Sequence, residues 1–204
     1  MYELPISVTI DNRVFAIREN GDFRMVLDCF NSLNDLELDK ETRIISSLII
    51  FYKDFKDVED VVNCDCIGEL ATEMMKFFNC GRDDESRKSS YRLIDWDKDS
   101  NLICSAVNKV AGKEIRAEQY IHWWTFIGYY MSIGNSPLST IVSIRNKIVK
   151  QEKLEKHEKQ FRYENPQYFN MNFKSLEEQE LDAEMMKMWN SAGGDGVCNH
   201  GTEM

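Results

Sequence analysis

A chain of 204 residues with 43% hydrophobic and 11% aromatic side chains is long enough to bury a core of its own and too apolar for wholesale disorder. Its 29% charged residues can clothe a soluble surface, and a formal charge of −10 works against phosphate backbones at long range. The longest apolar runs, such as 48–52, fall far short of the roughly 20 residues that cross a bilayer, which excludes a membrane-spanning helix.

Met1–Ile10 carries no basic region followed by a long apolar stretch, so no export signal is expected. Without one, the six cysteines (Cys29, Cys64, Cys66, Cys80, Cys104, Cys198) read as reduced thiols, several of them packed as small hydrophobes.

Ile6, Val8 and Ile10 alternate with polar residues, and Phe15 and Ile17 do so again after Asp11-Asn12, which tolerate turn conformations. That pattern predicts a β-hairpin. Asp22 suits an N-cap for a helix carrying Phe23, Val26, Leu27 and Phe30 on one face. Asp39 suits the cap of a second, with Ile45, Leu48, Ile49 and Tyr52, and Val58, Val61 and Val62 mark a short third. Ile67, Leu70, Ala71, Met74, Phe77 and Phe78 keep the helical period up to Gly81, which fits a left-handed C-cap. Residues 81–92 have no periodicity and read as a solvated loop.

After Leu93-Ile94-Asp95-Trp96-Asp97, the residues Ile103, Ala106, Val107 and Val110 predict a helix ending near Gly112. A further helix is expected over 117–133, with Tyr120, Trp123, Trp124, Ile127, Tyr130 and Met131 on its apolar face. Ser136-Pro137 starts a long helix whose first half is anchored by Ile141, Ile144 and Ile148. Beyond Lys150 it is expected to leave the core as a solvated continuation, supported by the pairs Glu152/Lys156, Glu155/Lys159 and Glu158/Arg162 at roughly 0.2 to 0.5 kcal/mol each. After Pro166 the chain changes character, with seven acidic residues against one lysine between Ser175 and Met204. The expected organisation is a helical domain over 1–165, with the N-terminal hairpin, and an acidic, partly helical to disordered appendage over 166–204. The fold class is mainly α, a multi-helix bundle.

The candidate chemical motifs are weak. Asp95, Asp97 and Asp99 alternate like calcium-loop ligands, but the sixth position is Ser100 where glycine is required, and the twelfth is Ala106 where a bidentate glutamate is required. Cys64 and Cys66, with Cys80, lack the second close pair of a structural zinc site. Of three histidines, His122 lies among aromatics in a setting that suits a hydrogen-bonded core residue better than a catalyst. Phosphate loops, nucleophile elbows and His-Glu-x-x-His motifs do not occur, so no enzyme activity, cofactor or metal is expected. Lys147, Lys150, Lys153, Lys156, Lys159 and Arg162 could track a nucleic acid, but the interleaved glutamates favour a solvated ion-pair helix.

Asp95, Trp96 and Asp99, the Ile115-Arg116 pair, His122-Trp123-Trp124-Thr125-Phe126 and Ile144-Arg145, with Asp22-Phe23-Arg24 after the hairpin, form a recognisable set. On these residues the chain resembles the "gene product fifteen" family of tailed phages and prophages of Gram-positive bacteria, over most of 6–163. The resemblance implies a siphophage tail assembly chaperone-like protein of the host cytoplasm, absent from the mature virion. Its implied partners are the tape measure protein and the tail tube protein; self-association is left open. Asp95, Trp96, His122, Trp123, Trp124, Phe126 and Arg145 are expected in the core. Partner binding is assigned to a stripe of Leu181, Met185, Met188 and Trp189 in the appendage, a pattern suited to helical partners. The rivals are a structural tail or connector component of the virion, a nucleic-acid-binding phage regulator, and a hydrolase around His122 and the Asp95 cluster.

Overall fold

The computed structural model describes residues 3–82 and 93–171. Strands β1 (Ser7–Ile10) and β2 (Arg13–Ala16) form an antiparallel hairpin with Ile10 opposite Arg13. Asp11 (φ 47°) and Asn12 (φ 63°) both take the left-handed conformation, whose twist matches that of paired strands. Phe15 turns inward while Val14 remains exposed. The chain then rounds a tight corner at Arg18–Gly21, where Glu19, Asn20 and Gly21 are all left-handed.

Eight α-helices follow among the described residues: α1 (Phe23–Leu33), α2 (Lys40–Phe51), α3 (Val58–Val62), α4 (Ile67–Phe78), α5 (Ser100–Ala111), α6 (Trp123–Met131), α7 (Pro137–Val149) and α8 (Lys156–Glu164). The protein is therefore mainly α with an N-terminal hairpin, and none of these helices is long and apolar enough to cross a membrane. The expected caps form. Asp22 accepts from the Arg24 amide, Asp39 from that of Thr42, and Ser136 from that of Ser139, with Pro137 at the first helical position. Gly112 closes α5 in the left-handed conformation. One main core gathers α1, α2, α4, α5 and α6 around Phe23, Leu48, Phe51, Leu70, Val107 and Trp123.

Two expectations are corrected. The sixth helix starts at Trp123, not near 117: the His122 side chain caps it, Ile115–Ala117 is a separate 3-10 turn, and Tyr120 is exposed. The helix begun at Pro137 does not run on into solvent. It stops at Val149, Gln151 turns left-handed (φ 57°), and α8 begins after Glu155. That reversal lets Leu154 and Phe161 pack on the cluster of Ile141, Ile144 and Phe169. Both side chains are partly buried there, and even half of the roughly 1.5–3 kcal/mol of a fully buried side chain exceeds the few tenths that each ion pair of a straight helix would supply. Residues just past 165 also pack: Phe169 is buried in that cluster, and Tyr168 supplies a backbone acceptor to Arg145.

One arginine, unremarked in the sequence, ties the corner to α2. Arg18 donates to the carbonyls of Ile49, Ile50, Tyr52 and Phe55 at 2.9–3.1 Å, satisfying the end of α2 with a positive charge. Gly21 completes the corner at φ +79°, where an added Cβ would lie 2.7 Å from Phe77 Cζ and 3.0 Å from His122 Nε2. Gly21→Ala is expected to lower stability by roughly 1–3 kcal/mol, from a left-handed backbone combined with a clash, as read from urea unfolding midpoints.

Candidate functional site

The N-termini of α1 and α6 are stitched together across 99 residues of sequence. The Asp22 carboxylate caps α1, accepts the Ile121 amide at 2.8 Å and pairs with Arg24 at 3.1 Å, while the Phe23 amide donates to the Ile121 carbonyl at 2.9 Å. Arg24 reaches on to the carbonyls of Ile115 and Glu118. His122 lies in this joint with both ring nitrogens engaged: Nδ1 accepts the Trp124 amide at 3.1 Å, which leaves Nε2 to donate to the Pro5 carbonyl at 3.0 Å. These two bonds specify the neutral Nε2–H tautomer.

The two tryptophans that follow finish α4. Trp123 Nε1 donates to the Phe78 carbonyl at 3.0 Å and Trp124 Nε1 to that of Phe77 at 2.9 Å, the latter carbonyl also accepting the Cys80 amide, so both indoles bind the last turn of α4. Trp123 is buried and Trp124 half-buried. Phe126 is buried and stacks on Phe23 with ring centroids 4.5 Å apart.

A second set of bonds fixes the segment before α5. Arg145, on α7, donates to both Asp99 oxygens at 2.6 and 2.9 Å, to the Leu93 carbonyl at 2.9 Å, and twice to the Tyr168 carbonyl at 2.6 and 2.8 Å. All five guanidinium donors are thereby used, with each side chain of the ion pair only 2% exposed. Asp99 also accepts the Asp95 amide, and half-buried Asp95 accepts those of Asp97 and Lys98. The Asp95 and Asp99 carboxylates thus organise a turn, and that turn holds out Trp96.

Trp96 stands over Phe30, Trp123, Phe126 and Tyr130, with ring centroids 5.4–6.3 Å apart. Beside it runs an apolar cleft of about 390 Å³, lined by Phe30, Met75, Phe78, Trp96, Tyr130 and Met131 among others. Two methionines stand at its rim, Met131 being 68% exposed and Met75 46%. Flexible thioethers around an aromatic floor adapt to apolar partners of irregular shape.

A model of the family described as Bacteriophage Gp15 protein matches residues 1–171. The chain belongs to the bacteriophage Gp15 family. No curated protein and no solved structure matches it. Of the residues singled out in the sequence of this Gp15-family chain, the structure places Trp96 and Trp123 in the lining of the cleft, with buried Phe126 packed against both. His122 caps α6 through the Trp124 amide, and the Asp95–Asp99–Arg145 set fixes the turn that carries Trp96. The stripe of Leu181, Met185, Met188 and Trp189 lies outside the described residues. Sequence reasoning missed the Asp99–Arg145 pairing, although a charge next to Ile144 and four residues after Ile141 on an apolar helix face signals a buried partner. It also missed Met75, which lies off the main stripe of α4.

Cutting one side of a buried, fully bonded ion pair strands the other charge. Asp99→Asn and Arg145→Met are each expected to cost about 3–5 kcal/mol, and the double variant less than their sum, in a urea-denaturation double-mutant cycle.

The His122 joint makes stability pH-dependent. Burial depresses its pKa below the ordinary 6.5, outweighing the Pro5 bond and the Asp22 charge, which act the other way. The unfolded chain therefore takes up this proton first. The contribution of His122 to stability is complete above about pH 6.5, falls as the pH drops toward the lower folded-state pKa, and levels off below it. His122→Asn, which keeps a capping acceptor, should remove this step from a plot of urea midpoint against pH.

Proposed function

We propose that this protein is a tail assembly chaperone-like factor of a siphophage or prophage of Gram-positive bacteria, and that its aromatic cleft is the surface that grips the tape measure protein. In this reading it keeps that long helical partner soluble in the host cytoplasm, yields it as tail tube protein polymerises, performs no catalysis, and is not retained in the finished virion. Family membership supports a phage structural or tail-related role. The cleft carries the assignment: an amphipathic helix presents apolar side chains at three- and four-residue steps, and an aromatic trough with methionine edges accepts such a row.

The groups that could have served a hydrolase are committed elsewhere. Both nitrogens of His122 are bonded to backbone, and Asp99 is bound by Arg145. The regulator reading loses its continuous basic helix, because the chain reverses after Lys150 and Lys147 pairs with Glu158 at 2.6 Å. A virion component remains the main rival, and mass spectrometry of purified particles separates it from a transient assembly factor.

The decisive test is coexpression with the tape measure protein of the same phage. Met75→Glu with Met131→Glu puts charge at exposed rim positions, so the melting curve should be unchanged while the complex weakens at least about tenfold. A companion variant, Met185→Ala with Trp189→Ala, measures the share of the C-terminal stripe. An intact complex with the charged rim would sink the cleft assignment.

A further inference from the structure

On the opposite side of α4 from its tryptophan-bound end, three consecutive residues converge. Cys64 Sγ lies 3.3 Å from Cys66 Sγ, and both sulfurs with an Asp65 carboxylate oxygen fall within 4.8 Å of one another. The sequence offered a thiol pair without a second pair to complete a zinc site; folding supplies a carboxylate and a cation instead. Arg13, from β2, donates to Asp65 Oδ1 at 2.6 Å and to Cys66 Sγ at 3.1 Å. Positive charge is thus already drawn to this cradle.

We propose that Cys64, Asp65 and Cys66 bind a soft divalent cation of the zinc and cadmium class, with water in the fourth position and Arg13 beside the site. Thiolates bound to one tetrahedral ion at about 2.3 Å stand roughly 3.8 Å apart, so a small rotation of Cys64, the less buried of the two, suffices. Two thiolates and a carboxylate around a divalent ion leave one negative charge, which the adjacent guanidinium balances. Cys66 occupies the N-cap position of α4, a 12-residue helix whose N-terminus no side chain caps. The Asp65 side chain is 81% exposed and Cys64 half-buried, which opens an entry path from solvent. Bound this way, the ion fastens the connection between α3 and α4 next to the hairpin.

Binding displaces the protons of both thiols. Because each thiol gives up its proton to the solvent when the ion binds, affinity climbs with alkalinity.

The test is titration of the full chain, reduced with a phosphine, with Cd²⁺, read by sulfur-to-metal charge-transfer absorption, and with Zn²⁺ in competition with a chromogenic chelator. One ion per chain is expected, with affinity rising by up to about 100-fold per pH unit near neutrality because two protons leave. Cys64→Ser should weaken binding at least tenfold. Asp65→Asn, at an exposed position where folding is not at stake, should weaken it severalfold and reduce the ion-induced rise in melting temperature. Absence of the charge-transfer band would overturn the site, and so would binding that survives Cys64→Ser, or that is lost in Cys80→Ser or Cys104→Ser instead.

Discussion

The Arg145 guanidinium, enclosed between α5, α7 and the turn at 166–168, is the interaction on which the cleft-bearing side of the molecule depends. Isolated in an apolar interior such a charge would be prohibitive; with every donor bonded and a carboxylate opposite, it becomes a rigid five-way junction. It holds the Leu93 backbone, closes the Asp95–Asp99 turn through Asp99, and brings Tyr168 and Phe169 onto α7. Trp96 has a defined position because that turn does, and the cleft has a wall because Trp96 does.

The floor of the cleft comes from a different economy of bonds. Aromatic rings from α1, α4 and α6 supply area, while the polar ends of Trp123 and Trp124 finish the last turn of α4. The same side chains thus stack in the core and terminate a neighbouring helix. His122 serves two elements likewise, capping α6 with one nitrogen and holding the entry to the hairpin with the other.

Local features were readable from the residues alone. The Asp11-Asn12 turn, the caps at Asp22, Asp39 and Ser136, and the left-handed closure at Gly112 all arise within a few positions of the residues that encode them, whereas at the end of α4 Cys80 (φ 56°) turns left-handed one position before Gly81. What could not be read was the second role of those residues. Asp22 as a cap is visible; Asp22 as the acceptor for Ile121 requires the two helix ends to have met. The reversal after Lys150 was hidden for a related reason: glutamate–lysine spacing supports a helix in isolation, and only a packed surface at Ile141 and Ile144 gives Leu154 and Phe161 cause to return. The cleft was the least legible, since Phe30, Met75, Trp96 and Met131 come from four separate segments.

Many of the bonds described for Arg18, Arg24, Arg145, Trp123 and Trp124 end on main-chain carbonyls. A carbonyl is the same in every amino acid, so the accepting positions impose little on side-chain identity. Divergence can rewrite those positions freely while a one-residue insertion beside any of them would move the acceptor out of reach. Kinship among such chains would therefore persist in the spacing between a few donors long after the intervening letters had drifted apart.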